Sequence, residues 1–199
     1  RRAALIPIGS NITPSLPPGY DRTVWRRGYG LTQETLLLCY FGFLNASKGG
    51  EELVATLEAL VQQGRDAHLL MIGGAVGASD ATNAAYLEAV RQQIAARGLE
   101  RRVIWTGYLS QEQVSAAFAA ADLCVLPYRD GISFRRGSLM AALAHGLPIV
   151  STYPQMPLAE IEHGGNVWLV EAGKALALAE AVARLADDAA LRQRLSQGA

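Results

Sequence analysis

Apolar residues along this chain fall into two alternating patterns. Short unbroken runs rich in Leu, Ile and Val occur at Leu36–Phe41, His68–Ile72, Val103–Thr106, Leu123–Leu126, Ile149–Ser151 and Val167–Val170. Such runs are expected of strands buried on both faces of a parallel sheet. Between them the apolar positions take a helical spacing. Leu53, Val54, Leu57, Leu60 and Val61 share one face of a helix predicted over Glu51–Gln63. Leu87, Val90 and Ile94 do the same over Ala81–Arg97, and Leu178, Val182 and Leu185 over Ala175–Ala186. Ser110-Gln111-Glu112-Gln113 reads as a capping box opening a further helix, with Val114, Ala117 and Phe118 facing inward. Ser138–His145 is a tightly packing helix of small apolar residues, and Ala189–Ser196 a last, weakly docked one.

Strands and helices in strict alternation predict an α/β fold, a doubly wound parallel sheet of Rossmann-like type. Residues 1–30 differ. They are rich in proline and glycine, with a short strand expected at Ala4–Ile12 and a helical turn near Thr23–Tyr29. We read them as a lead-in from a preceding N-terminal domain, and residues 31–199 as the folded domain.

Composition narrows the function. The chain has 199 residues, half of them apolar, with 18 basic and 18 acidic side chains. A net charge of zero argues against nucleic acid as the main partner. No apolar run is long enough to span a bilayer, and no signal-peptide pattern opens the chain. A start at Arg1 reads as a piece of a longer polypeptide. Cys39 and Cys124 lie in apolar runs with no zinc-type spacing, so they are expected to be buried thiols of a reducing, cytoplasmic compartment. Peripheral membrane association of the full protein stays open.

In a doubly wound sheet, ligands bind beyond the carboxyl ends of the strands. After the first strand, Gly42 to Gly50 offers glycines and Lys48. It reads either as a diphosphate cradle or as an ordinary turn with a surface lysine; neither the P-loop nor the dinucleotide spacing is present. The glycines from Gly73 to Gly77 read as a mobile flap or a plain loop. Tyr108 and Leu109 follow the third strand, where the tyrosine lies against a flat base or packs at a helix entrance. The fourth strand leads into Ser133, Arg135, Arg136, Gly137 and Ser138. Adjacent arginines at a helix N-terminus oppose its dipole unless an anion is bound, so this loop is expected to hold a phosphate-bearing ligand. His145 is expected to cap its helix, and His163, Glu160 and Glu162 to lie exposed, with the two glutamates as possible acceptors for sugar hydroxyls. No Ser/His/Asp set is evident, and no catalytic residue or metal site is assigned.

Taken in order, YFGFLNASKGGEEL (Tyr40–Leu53), HLLMIGG (His68–Gly74), VIWTGYLSQEQVSAAFAAADLCVLPY (Val103–Tyr128), AALAHGLPIVST (Ala141–Thr152) and EIEHGGNVWLV (Glu160–Val170) resemble the C-terminal half of a group 1, family 4 retaining glycosyltransferase. IPIGSNI (Ile6–Ile12) resembles the stretch that enters this half. The resemblance implies one half of a GT-B fold that binds a nucleotide-sugar donor as substrate, without a cofactor or metal. The acceptor would be held by an N-terminal domain of the same polypeptide. It places Lys48 near the donor diphosphate, Tyr108 and Leu109 at the nucleobase, and Ser133–Ser138 by the phosphates and transferred sugar. Two signature glutamates of the family fall, aligned on Gly146, at Ser133 and Ala141, neither of them acidic. Phe43 stands where a basic residue is common. These departures keep two alternatives open, a non-catalytic nucleotide-binding relative or partner subunit and a nucleotide-sugar epimerase of the same architecture.

Overall fold

The computed structural model describes residues 9–10, 12–73 and 81–199. The expected strand at Ala4–Ile12 and the loop from Gly74 to Asp80 lie wholly or largely outside these residues. The described elements run α1 (Arg22–Gly28), β1 (Leu36–Phe41), α2 (Gly50–Gln62), β2 (Ala67–Ile72), α3 (Ala81–Ala96), β3 (Val103–Trp105) and α4 (Gln111–Ala120). They continue with β4 (Leu123–Leu126), α5 (Gly137–Ala144), β5 (Ile149–Thr152), β6 (Trp168–Val170), α6 (Ala175–Asp187) and α7 (Ala189–Gly198). No described helix is long and apolar enough to cross a membrane.

The strands form one sheet, all parallel, in the order β3-β2-β1-β4-β5-β6. Strands β1 and β4 sit at its centre with Leu37, Cys39, Tyr40 and all of β4 shut off from solvent. Full burial on both faces explains why these segments are unbroken apolar runs. Helices α2, α3 and α6 pack together. Right-handed crossovers put α5 on the opposite face, where α1 packs on α4. The capping box forms as its spacing predicts: Ser110 Oγ accepts from the Gln113 N–H and Gln113 Oε1 accepts from the Ser110 N–H.

The direction of winding reverses between β1 and β4, since β1 leads outward to β2 and β3 while β4 leads the other way to β5 and β6. The crevice above this pair is the switch point at which such sheets bind ligands. At the opposite pole, Arg26 of α1 is fully buried and closes the floor of the sheet. Cys39 and Cys124 are direct register partners on β1 and β4, free and buried. Burial pushes the Cys39 thiol well above its usual range, and the adjacent Cys124 thiol adds to this.

Candidate functional site at the sheet switch point

Two loops meet above β1 and β4. The first leaves β1 through Gly42, whose φ of 110° is a conformation that side chains disfavour. Its missing side chain leaves room. A Cβ on Gly42 would lie 3.7 Å from Lys48 Nζ and 3.9 Å from Ser138 Cβ. The lysine ammonium thus lies over the end of β1, next to the first turn of α5. A 3-10 turn over Ala46–Lys48 aims it there, and Asn45 caps that turn by accepting from the Ser47 N–H and hydroxyl at 3.1 and 2.9 Å.

Lys48 is half-buried and has no carboxylate partner among the described residues. Burial, and then the nearby Arg136 charge, hold its ammonium below the usual lysine range. An unpaired, partly desolvated cation interacts strongly with any anion brought to it.

The second loop follows β4. Arg136 precedes α5 as its N-cap residue but gives no side-chain cap, so the first-turn N–H groups at Gly137 and Ser138 have no side-chain acceptor there. Its own N–H donates to the Ser133 carbonyl at 3.0 Å. The guanidinium donates to both oxygens of Asp130 and lies 4.7 Å from the centre of the Tyr128 ring. Arg136 thus meets a carboxylate of the protein itself. Asp130 neutralises Arg136, because the turn at Gly131 brings it back against the helix start. Arg135 is exposed and has no ion-pair partner among the described residues.

Tyr128, to which the sequence assigned no role, organises this wall. Its hydroxyl shares a 2.6 Å hydrogen bond with Ser138 Oγ, and its carbonyl accepts from Thr152 Oγ at 2.6 Å. Burial raises its phenol pKa, which keeps the hydroxyl protonated. A cavity of about 350 Å3 opens here, lined by Ser47, Asp130, Ser133, Arg135 and Arg136.

The loops are bolted together. The Arg129 N–H donates to the Ser47 carbonyl at 2.8 Å. Its guanidinium binds Glu52 at 2.8 Å and Glu51 at 2.6 Å, in the first turn of α2. That clamp answers the acidic start of α2 and fixes the Lys48 loop against the β4 loop.

Tyr108 and Leu109 lie apart from this cluster, after β3 at the sheet edge. Tyr108 is 90% exposed, which contradicts packing at a helix entrance and leaves a free aromatic face. Leu109 packs partly on the core. At the aligned glutamate positions, Ala141 is fully buried and Ser133 half-buried. His145 caps α5, donating from Nδ1 to the Ala141 carbonyl at 2.7 Å and meeting Ser115 Oγ through Nε2 at 2.8 Å. Glu160, Glu162 and His163 are exposed.

The geometry is that of an anion site at a parallel-sheet switch point, and comparison with known proteins gives it a family. The family model described as glycosyl transferases group 1 matches residues 35–188. The chain belongs to the group 1 glycosyl transferases. It is 29% identical over 181 residues to the alpha-D-kanosaminyltransferase of Streptomyces kanamyceticus, covering 89% of this chain and 43% of that protein. Among solved structures it matches Anabaena HepE in complex with UDP, with a TM-score of 0.79 and 23% identity, over 96% of this chain and 49% of that one. It also matches the C-terminal domain of a group 1 glycosyl transferase (LpcC) from Francisella tularensis, with a TM-score of 0.74 and 18% identity, over 96% of this chain and 93% of that one. At such identities the structures establish the fold, the C-terminal half of GT-B. The chain spans less than half the length of the curated relatives it matches.

Proposed function

We propose that this chain is the donor-binding half of a retaining glycosyltransferase. The enzyme would move a sugar from a nucleotide-sugar to an acceptor held by an N-terminal domain of the same polypeptide. One observation carries this reading: Lys48 Nζ and the first turn of α5 meet above Gly42, at the switch point. Negative charge builds on the leaving diphosphate as the sugar departs. Fixed cations and helix N–H groups aimed at it stabilise the transition state more than the bound donor. Lys48, Arg135, Arg136, Gly137 and Ser138 supply these groups, so the compensating charge comes from the protein rather than a metal ion. The crystallised complex of HepE with UDP supports the choice of a nucleoside diphosphate.

Lys48 and Arg136 should not contribute equally. The Arg136 charge is already shared with Asp130, whereas Lys48 has no carboxylate partner among the described residues. Lys48→Met is therefore expected to weaken UDP binding by roughly 1.5–3 kcal/mol, the worth of a charge-assisted contact. Arg136→Ala should lose less. Titration calorimetry of the two variants decides this, and wild-type affinity in Lys48→Met would remove the lysine from the site.

Tyr108 is proposed to stack on the nucleobase. Tyr108→Ala should cost about 1–3 kcal/mol of nucleotide affinity, typical of a lost base–aromatic stack. Its exposure means that the melting temperature should hold. Unchanged affinity would place the base elsewhere.

A further inference from the structure

A second cavity, of about 410 Å3, lies beside the anion site between the loops that follow β4 and β5. It shares Asp130, Ser133 and Arg135 with the first. Most of its wall is carbon, contributed by Ile132, Phe134, Met156, Pro157 and Leu158. Met156 is 76% exposed, so its thioether is available to whatever enters.

The sheet order decides what that is. Tyr108 stands after β3 at one edge, the anion groups lie between β1 and β4, and this cavity lies beyond β4. A donor with its base at Tyr108 and its diphosphate on Lys48 and α5 therefore directs its sugar toward β5. One strand spacing is about 4.8 Å, within reach of a glycosyl group from its phosphate.

Both Asp130 oxygens face Arg136, so hydroxyl groups find the Arg135 guanidinium, the Ser133 hydroxyl and the Gln155 amide, whereas the side chains of Met156, Pro157 and Leu158 offer no hydrogen-bond donor. A hydroxymethyl group pressed on carbon gives up hydrogen bonds to water without replacement. A methyl group gives up none and gains from burial.

We propose that the transferred sugar is a deoxyhexose, its methyl group set against Met156 and Leu158. This rests on the donor-site reading above. Apolar pockets distinguish such pairs by roughly 10- to 100-fold.

The test separates the two readings. This chain is titrated first with UDP, GDP, dTDP and ADP. The best nucleotide is then compared as its glucose and mannose conjugates and their 6-deoxy forms. Tighter binding of a 6-deoxy form by roughly 10- to 100-fold supports the inference. The same preference should fall severalfold in Met156→Gln. Nucleotide binding with no preference for either 6-deoxy sugar overturns the inference and leaves the donor site standing. Failure of every nucleoside diphosphate to bind overturns both.

Discussion

Arg26→Met is expected to destabilise the domain by about 3–5 kcal/mol, the cost of breaking a buried ion pair from one side. Arg26 is fully buried, yet its guanidinium is well partnered. Nε donates to the Thr32 carbonyl at 3.0 Å, Nη1 to the Ala120 carbonyl at 2.9 Å and Asp122 at 3.2 Å, and Nη2 to the Thr35 carbonyl. Asp122 in turn accepts from Arg22 at 2.5 Å and from the Leu37 N–H at 2.8 Å. One side chain thus ties α1, the turn before β1, and the α4–β4 junction together. Methionine fills similar space but leaves three carbonyls without their donor, two of them buried, at Ala120 and Thr35, and a buried unsatisfied group is costly. The melting temperature should fall by roughly 6–20 °C, at 2–4 °C per kcal/mol for a domain of this size. Calorimetry or urea titration checks this, and a loss below about 1 kcal/mol would mean that the cluster is worth no more than a surface pair.

Gly49→Ala should cost roughly 2–5 kcal/mol and weaken nucleotide binding at the same time. Gly49 has φ 70° and ψ 43°, where an alanine costs about 1–2 kcal/mol. The larger effect is contact. A Cβ at Gly49 would lie 2.1 Å from the Pro127 carbonyl oxygen, a backbone atom with no rotamer to change. Overpacking of this kind adds about 1–3 kcal/mol and must push the two loops apart. Those loops carry Lys48 and the start of α5, so the anion site opens with them. Gly64→Ala is the control. Gly64 has a similar φ of 79° but nothing within 4 Å of the added atom, so only the backbone cost applies. If both variants lose equal stability, the Gly49–Pro127 contact does not hold the loops together.

The elements of this fold are legible in the sequence because burial is periodic. Each strand expected from Leu36 onward forms within a residue or two of its apolar run, and the Ser110–Gln113 box caps its helix. The helical turn expected near Thr23 is a capped helix, with Asp21 accepting from the Val24 N–H. Less of the site was legible. Residue types with phosphate chemistry stand out along the chain, as Gly42, Lys48 and the Arg135–Ser138 loop do. Their mutual distances do not. The pairing of Arg136 with Asp130 is hidden in the sequence, because it depends on the turn at Gly131 that brings the two together. Arg129, which holds Glu51 and Glu52, carries no sequence signal at all.

By itself, then, the sequence determined the alternation of buried strands and amphipathic helices, and with it a parallel sheet whose ligand lies beyond the strand ends. Local patterning suffices for that, since solvent exposure repeats with the geometry of each element. Only the tertiary structure decided which loops meet. It set Lys48 beside Ser138, made Cys39 and Cys124 register partners, placed Tyr108 at the far edge and bounded the carbon-walled cavity near Met156. These are contacts between residues distant in the chain. Their geometry comes from strand order and loop packing, which no local pattern encodes.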